Sequence, residues 1–193
     1  MPLIQAKQIA GYGTPIETGE IVPVPEGVMT GTQAVHALND NYDGGSMVLR
    51  RAASMSRIIF RLTSVTVNAR PRVLIYQTTD GGSGVASLKA SATAAALAAG
   101  AQDVTLVFNE GTVNFAPGLI YVLFGRFVAI GASLRVYTSS AFDLLNTGVD
   151  PNTHPLCFST AIAASGAAPA TFNPLTAPTA ASTDLVPVIR LRA

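Results

Sequence analysis

The most apolar stretch of the chain runs from Phe115 to Ser139, with the sequence FAPGLIYVLFGRFVAIGASLRVYTS. Its centre, residues 119–124, is LIYVLF, and turn-forming residues stand on both sides of it, at 117–118 and 125–126. A short apolar run that is rich in β-branched and aromatic residues and bounded by turn formers predicts a strand buried on both faces. A second strand about ten residues later is typical of a β-sandwich.

Segments with alternating apolar residues predict the remaining strands. The clearest alternation runs from Arg57 to Ala69, and it slips at Ser64-Val65, which predicts a β-bulge there. Pro187 cannot donate to a neighbouring strand, so we expect the last strand at a sheet edge. The further predicted strands are residues 46–51, 72–78, 103–109, 156–162 and 185–192. With about eight strands and no long helix, the pattern predicts an all-β, antiparallel, jelly-roll-like β-sandwich over residues 46–193.

Three segments between the predicted strands have a biased composition. Residues 85–100, VASLKASATAAALAAG, combine strong helix formers with few large apolar side chains, so we expect a long loop that could include one short helix. Residues 140–155 are dense in Asn, Asp, Gly and Pro, which predicts another loop. Residues 163–182 consist mainly of Ala, Pro, Thr and Ser, with Phe172 and Leu175 as predicted anchors.

Residues 1–45 differ from the rest of the chain and predict an extended N-terminal arm. They show no helical period, and Pro15, Pro23 and Pro25 favour extended backbone over a central strand. They are also more apolar than a disordered tail needs to be. An arm lying in a groove of a neighbouring subunit accounts for both features; a disordered tail and an edge strand are the alternatives. The predicted partner-binding residues of the arm are Ile16, Ile21, Val22, Val24, Val28 and Met29.

Charged residues are scarce in this chain of 193 residues. They make up 12% of it, and the mean hydropathy is +0.40. An ordinary soluble domain carries about 25% charged residues. Because so few charges cover the surface of an isolated molecule poorly, we expect other chains to cover part of that surface.

The charges are also distributed unevenly. Residues 1–45 contain one lysine and five acids, a net charge of −4, whereas residues 46–193 contain eleven bases and six acids, a net charge of +5. Arginine is the cation that interfaces favour, because its planar guanidinium binds carboxylates at two points and is weakly hydrated. We therefore predict a basic partner-binding patch, with a solvated strand edge as the alternative. Its residues are Arg50, Arg51, Arg57, Arg61, Arg70 and Arg72.

No residue pattern predicts a catalytic centre, a metal site or a cofactor site, and we expect no enzyme activity. Residues 39–44, NDNYDG, match the start of a calcium-binding loop, but Arg50 stands where that loop requires a bidentate carboxylate. We therefore expect an Asx-rich turn there, within a turn-rich entry to the folded body at residues 37–46. Cys157 is the only cysteine, and neither His36 nor His154 stands at a zinc-ligand spacing from it. We expect Cys157 to be a small buried apolar residue.

Nucleic acid and membranes are not expected as partners. The net charge of the whole chain is only +1, which gives no support for nucleic-acid binding. The first residues, MPLIQAKQIAGYG, lack the basic and apolar regions of a secretory signal. The apolar run at 115–132 is interrupted too often by Pro, Gly and Arg for a membrane-spanning helix.

The order of these segments resembles tailed-bacteriophage virion proteins with a jelly-roll or related β-sandwich domain. The resemblance lies in RIIFRLTSVTVNARPRVLIYQTTDGGSG, then DVTLVFNEGTVNFAPGLIYVLFG, then ASLRVYTSS, and it covers residues 46–192. It implies a structural protein of the virion, made in the host cytoplasm, that binds itself as a homotrimer and binds the major capsid protein or other virion proteins. It provides no catalytic residue.

Within that family two roles compete. Capsid cement or decoration proteins sit on the capsid and clamp its subunits with N-terminal arms, and the acidic arm beside an arginine-rich body favours this role. Tail fibre or baseplate adaptors and receptor-binding modules bind other virion proteins or host glycans. For the glycan-binding alternative the site is expected at the 80–100 and 140–155 loops, but the chain has no tryptophan to stack on a sugar.

Overall fold

The computed structural model describes residues 15–16, 20–21, 33–38, 40–49, 51–78, 85–137, 157–162, 165–173, 186–187 and 189–193. These residues form sixteen strands and no helix. In chain order the strands are β1 Pro15–Ile16, β2 Glu20–Ile21, β3 Gln33–Ala37, β4 Asn41–Leu49, β5 Ala53–Met55, β6 Arg57–Val65, β7 Pro71–Gln77, β8 Ala86–Thr93, β9 Gln102–Val107, β10 Val113–Phe115, β11 Gly118–Arg126, β12 Ala132–Tyr137, β13 Cys157–Ala161, β14 Thr171–Phe172, β15 Val186–Pro187 and β16 Ile189–Arg192.

The strands form two main sheets and one short ladder. Sheet A has eight strands in the order β1-β2-β16-β6-β12-β15, with β3 paired to β12 and β9 paired to β6. Sheet B has six strands in the order β13-β4-β11-β7-β8-β14, and β5 pairs with β10 alone. Every pairing is antiparallel. The predicted class, an all-β antiparallel sandwich, is confirmed.

The central strands of sheet B are apolar on both faces, and the face that lies against sheet A forms the main core of the molecule. Every residue of β7 is buried, and so are residues 120–125 of β11. One set of alternate side chains, with Val73 and Val122 among them, faces the inner side of sheet A. There the rings of Phe60 and Phe124 meet edge to face, with their centroids 5.1 Å apart. The prediction of a doubly buried strand in the longest apolar run is confirmed.

The other set of alternate side chains forms a second apolar cluster on the outer face of sheet B. Residues 165–173, here called the covering segment, lie against this face. Phe172 of that segment places its ring 5.5 Å from the ring of Tyr76 and 5.6 Å from that of Tyr121. The buried members of the cluster are Tyr42, Leu74, Tyr76, Ala86, Tyr121, Leu123, Ile162 and Phe172.

Two features of the fold differ from the prediction. The alanine-rich segment predicted as a loop with a possible helix forms β8, because the small side chains of Ala90 and Ala92 are buried in the core between the sheets. Burial in the sheet thus overrides the helix preference of alanine. The arm boundary predicted at residue 45 falls inside β4, and residues 41–44, where an Asx-rich turn was the expectation, are part of that strand.

The predicted bulge is present one residue earlier than expected. In the ladder of β12 with β6, Ser133 lies opposite Ser64 and Leu134 lies opposite Leu62, so Thr63 has no opposite residue. The strands are more numerous than predicted because several are pieces of only two or three residues.

Candidate interaction surface

The outer face of sheet A carries arginine and apolar side chains side by side. Along β6 the inward side chains are buried, and the alternate ones, Arg57, Ile59 and Arg61, are exposed or half-buried. The neighbouring strand β9 alternates in the same way, and 66% of the surface of Val107 is exposed. We call this surface the arginine face. Its members are Arg57, Ile59 and Arg61 of β6 and Asp103, Thr105 and Val107 of β9.

The register of the two strands sets the charge pattern of the arginine face. Arg57 lies opposite Val107, Ile59 opposite Thr105, and Arg61 opposite Asp103. The guanidinium of Arg61 is 3.1 Å from the carboxylate of Asp103, and both side chains remain largely in solvent. An exposed pair of this kind contributes at most about 1 kcal/mol to stability. Its exposure leaves both groups accessible to a partner.

The structure does not bring the six predicted arginines together on one surface. Arg57 and Arg61 belong to the arginine face, and Arg51 is exposed between β4 and β5. Arg50 lies outside the described residues. Arg70 and Arg72 lie at the start of β7 on sheet B, where both make contacts within the molecule.

Arg72 holds the covering segment against sheet B. Only 7% of its surface is exposed, and its guanidinium donates a hydrogen bond of 2.6 Å to the carbonyl oxygen of Gly166. The guanidinium of Arg72 also lies 5.7 Å from the ring centroid of Phe127. The guanidinium of Arg70 lies 4.9 Å from the centroid of the same ring. Arg70 itself donates to the carbonyl oxygen of Ala94 rather than to the covering segment. The two arginines therefore support different parts of the same sheet.

Two further hydrogen bonds hold the covering segment. The hydroxyl of Tyr76 donates to the carbonyl oxygen of Pro169 at 3.0 Å, and the amide of Leu88 donates to the carbonyl oxygen of Ala170 at 2.9 Å. Burial raises the pKa of the Tyr76 hydroxyl to about 12, against the opposing effect of the Arg72 charge. The hydroxyl is thus a neutral donor over the whole physiological pH range. From the sequence, Phe172 could be predicted as an anchor of the covering segment. The hydrogen bonds that Arg72, Tyr76 and Leu88 donate to this segment could not, because each joins residues that are far apart in sequence.

An ion pair joins the end of β11 to the residue before β4. The guanidinium of Arg126 donates to both carboxylate oxygens of Asp40, at 2.9 and 3.0 Å. The hydrogen bond from Arg126 holds the pKa of the Asp40 carboxyl below its usual value. The hydroxyl of Tyr42 donates to the backbone oxygen of Arg126, and burial raises the pKa of that hydroxyl. Two of the five acids counted in the predicted arm, Asp40 and Asp43, therefore belong to the sandwich.

The described part of the predicted arm belongs to both sheets of the same chain: β1, β2 and β3 are in sheet A, and residues 41–45 are in β4 of sheet B. Ile16 is in β1 and Ile21 is in β2; the two strands pair with each other. Within the described ranges β2 joins the sheet through one register pair, Ile21 opposite Leu191 of β16. The other predicted arm contacts, Val22, Val24, Val28 and Met29, lie outside the described residues.

The remaining candidate residues do not form a reaction centre within the described ranges. Among those residues no group of three or more His, Cys, Asp or Glu side chains could hold a metal ion. Cys157 begins β13 and His36 is in β3 of the other sheet, while His154 lies outside the description. Of the two loops expected to bind a glycan, residues 86–93 form β8 and residues 138–156 lie outside the described ranges. None of the described segments is a helix that could span a membrane.

Comparison with known proteins gives no assignment for this arrangement. A scan against models of protein families finds no matching family, and a search of curated proteins finds no matching relative.

Proposed function

We propose that this protein is a structural component of a phage virion, of the capsid cement or decoration type. In this proposal it attaches through the arginine face and through its N-terminal arm, and copies of it associate with one another. The partners are other copies of the chain and the major capsid protein or another virion protein. The virion context rests on the resemblance of the strand pattern between residues 46 and 192.

The observation that carries the proposal is the composition of the arginine face. Exposed Arg57 stands beside Val107, whose side chain is 66% exposed, and Ile59 lies between Arg57 and Arg61 on the same strand. Arginine is enriched in protein interfaces, whereas lysine and glutamate are depleted. The apolar surface of Val107 and Ile59 beside it would be removed from water by a bound partner. In a chain with only 12% charged residues, such a face supports a role in assembly.

The arm would add a second contact to the first. Once the arginine face is bound, attachment of the arm to a neighbouring subunit is intramolecular and gains from a high effective concentration. Among the described residues β2 and β16 share one register pair, so exchange of this strand between copies would break little of the described ladder. Release of one contact then leaves the subunit attached.

A sedimentation experiment tests the proposal. Purified full-length protein is mixed with DNA-free capsids, and separately with tails, from candidate tailed phages, and the bound fraction is measured after the particles are pelleted. We expect saturable binding to capsids, reduced at least about tenfold in affinity by Arg57→Glu, which corresponds to about 1.4 kcal/mol. Deletion of residues 1–30 should reduce retention on the particle further.

Lys89→Glu is the matched control, because it reverses one charge on β8 of sheet B, away from the arginine face. Equal losses of capsid affinity in Arg57→Glu and Lys89→Glu would show a general effect of charge and would contradict the assignment of binding to the arginine face. Binding of the same protein to a glycan array tests the alternative role, that of a carbohydrate-binding module. Specific glycan binding without retention on capsids or tails would overturn the proposal in favour of a carbohydrate-binding module.

A further inference from the structure

Among the strands that the structure describes, β9 is paired on one side only, with β6. Its register with β6 is continuous from Gln102 opposite Leu62 to Val107 opposite Arg57. Within the described part of the chain, no backbone group of β9 bonds to anything except β6, since the only other hydrogen bond of this strand comes from the side-chain amide of Gln102 to Ala98. In an antiparallel strand alternate residues direct their N–H and C=O groups away from the partner. β9 therefore presents a row of accessible backbone donors and acceptors.

In the same region, hydrogen bonds from other parts of the chain cover the edge of sheet B at β8. The amide of Ser91 in β8 donates to the Glu110 carboxylate at 2.8 Å, and the Ser91 hydroxyl donates to the same carboxylate at 2.7 Å. The carbonyl oxygen of Ser91 accepts from the amide of Asn109 at 2.8 Å. Further along β8, the amide of Leu88 donates to Ala170, and Ala86 and Ser87 pair with β14. The turn that follows β9 thus blocks the β8 edge and leaves the β9 edge open.

The β9 edge has only one of the features by which proteins protect an exposed edge, a single charged side chain. Protected edges usually carry several charged side chains, above all lysine, or proline, a bulge or an inward-pointing charge, or they are very short. β9 is six residues long, QDVTLV, and its register with β6 has no bulge. Its one charge, Asp103, lies on the outward side and pairs with Arg61. An edge of this kind favours pairing with another strand.

We propose that β9 pairs in antiparallel register with β9 of a second copy of this chain, about a two-fold axis at Thr105. The side-chain alternation must continue across the seam, so exposed residues lie opposite exposed ones. With Thr105 opposite itself, Asp103 lies opposite Val107 and Val104 lies opposite Leu106. A shift that places Asp103 opposite Asp103 is disfavoured, because like charges directly opposite each other are destabilising.

A second copy fits this edge better than an unrelated peptide because the contact closes. A two-fold pairing satisfies both open edges at once and leaves no new edge, whereas head-to-tail stacking leaves one open at each end. The pairing does not depend on the proposed virion role. The three-fold association expected from the resemblance would use a different surface, and the β9 seam would then join copies of different trimers.

Two substitutions at the same exposed residue test the seam on the full-length protein. Thr105→Lys places two like charges opposite each other, and its dissociation constant for self-association, measured by sedimentation velocity, should rise at least about tenfold. Thr105→Cys should give a covalent dimer under mild oxidation. Thr112, exposed in the turn before β10, provides the matched controls Thr112→Lys and Thr112→Cys, and Cys157 is present in all four variants.

The results separate the possible outcomes. Loss of self-association in Thr105→Lys, together with cross-linking of Thr105→Cys but not of Thr112→Cys, supports the seam. If the chain remains monomeric at a concentration of about 100 µM, where even a weak dimer would be detected, the proposed β9 seam is wrong. Self-association that Thr105→Lys leaves unchanged also overturns it and assigns the contact to another surface. In that case capsid binding by the arginine face is still tested separately.

Discussion

At the scale of single residues, two glycines in sheet B allow its strands to pack as they do. A Cβ atom on Gly44 of β4 would lie 1.8 Å from the backbone oxygen of Val122. A Cβ atom on Gly125 of β11 would lie 2.5 Å from the ring of Tyr42. The sequence motif Asp-Gly-Gly at 43–45 suggested a turn, because glycine in a turn and glycine at a close approach give the same pattern. Only the three-dimensional neighbours separate the two uses.

Substitution of Gly44 should therefore be strongly destabilising. We expect Gly44→Ala to lower the free energy of unfolding by about 3 kcal/mol or more, because the obstructing atom is backbone and cannot rotate away. Gly131→Ala is the control, since the nearest atom to its added Cβ would be the Thr66 hydroxyl at 3.7 Å. Its effect should stay within about 0.5 kcal/mol in urea unfolding. Equal stabilities of the two variants would contradict the close approach.

Tyr76 should make the stability of the fold fall in alkaline solution. Its pKa in the folded chain is raised by burial from the usual 10.0 to about 12, so the folded state favours the neutral hydroxyl. This contribution is complete below pH 10 and is lost as the pH rises towards 12, where the unfolded chain has already released its proton. A shift of this size corresponds to about 2–3 kcal/mol. The pKa of Tyr42 is also raised, so part of the loss belongs to that residue.

Urea unfolding between pH 7 and pH 12 measures this effect. At pH 7 Tyr76→Phe should be less stable by about 1 kcal/mol, because the hydrogen bond to Pro169 is removed. Above pH 10 the free energy of unfolding of the variant should fall less steeply than that of the wild type. Identical slopes would mean that the Tyr76 hydroxyl is solvated in the folded chain.

At the scale of strands, prediction from the sequence succeeded where each side of a strand keeps the same environment along the length of the strand. β6 alternates because one side is core and the other is the arginine face, and β11 is continuously apolar because both faces are covered. β8 was missed because alanine fits a tightly packed sheet as well as a helix, and nothing local distinguishes the two. The arginine face could be predicted in part, from Arg57 and Arg61, but Arg72 belongs to the interior because Gly166, far away in sequence, supplies its acceptor.

The covering segment should open when Arg72 is replaced. We expect Arg72→Met to raise hydrogen exchange of the Leu88 amide at least about tenfold, since the amide bonds to Ala170 of that segment and loss of the buried bond to Gly166 costs about 1.5–3 kcal/mol. Arg72→Lys should not restore protection, because an ammonium group lacks the planar fork of the guanidinium.

Arg70→Met is the matched control for the covering segment. Arg70 contacts the same ring, Phe127, but donates to Ala94 instead of to the segment. Its replacement should leave exchange at Leu88 within about threefold of the wild-type rate, a change of less than 1 kcal/mol. Equal exchange in both variants would show that packing against Phe127, and not the hydrogen bond to Gly166, holds the segment.

At the scale of the whole molecule, the arginine face and the open edge of β9 are parts of one surface. Pairing of two β9 strands would make the arginine faces of both copies continuous. The two outer rows would run from Arg61 and Asp103 of one copy to Val107 and Arg57 of the other, and the central row would contain Ile59 and Thr105 of both copies. The exposed Val107 side chains would then lie near the centre and the Arg57 side chains further out. A docking surface formed in this way is twice as large as that of a single chain, which strengthens attachment without any additional residue.

The predicted arm can be separated from this body by truncation. Deletion of residues 1–30 removes β1 and β2 and leaves β3, which begins at Gln33 and pairs with β12 along five residues. Since one register pair joins β2 to β16 in the described part of the chain, we expect the free energy of unfolding to fall by less than about 2 kcal/mol. Thermal unfolding of the truncated chain should remain a single cooperative transition. If the truncated chain does not fold, the N-terminal residues belong to the sandwich, and their proposed role as an exchangeable arm is wrong.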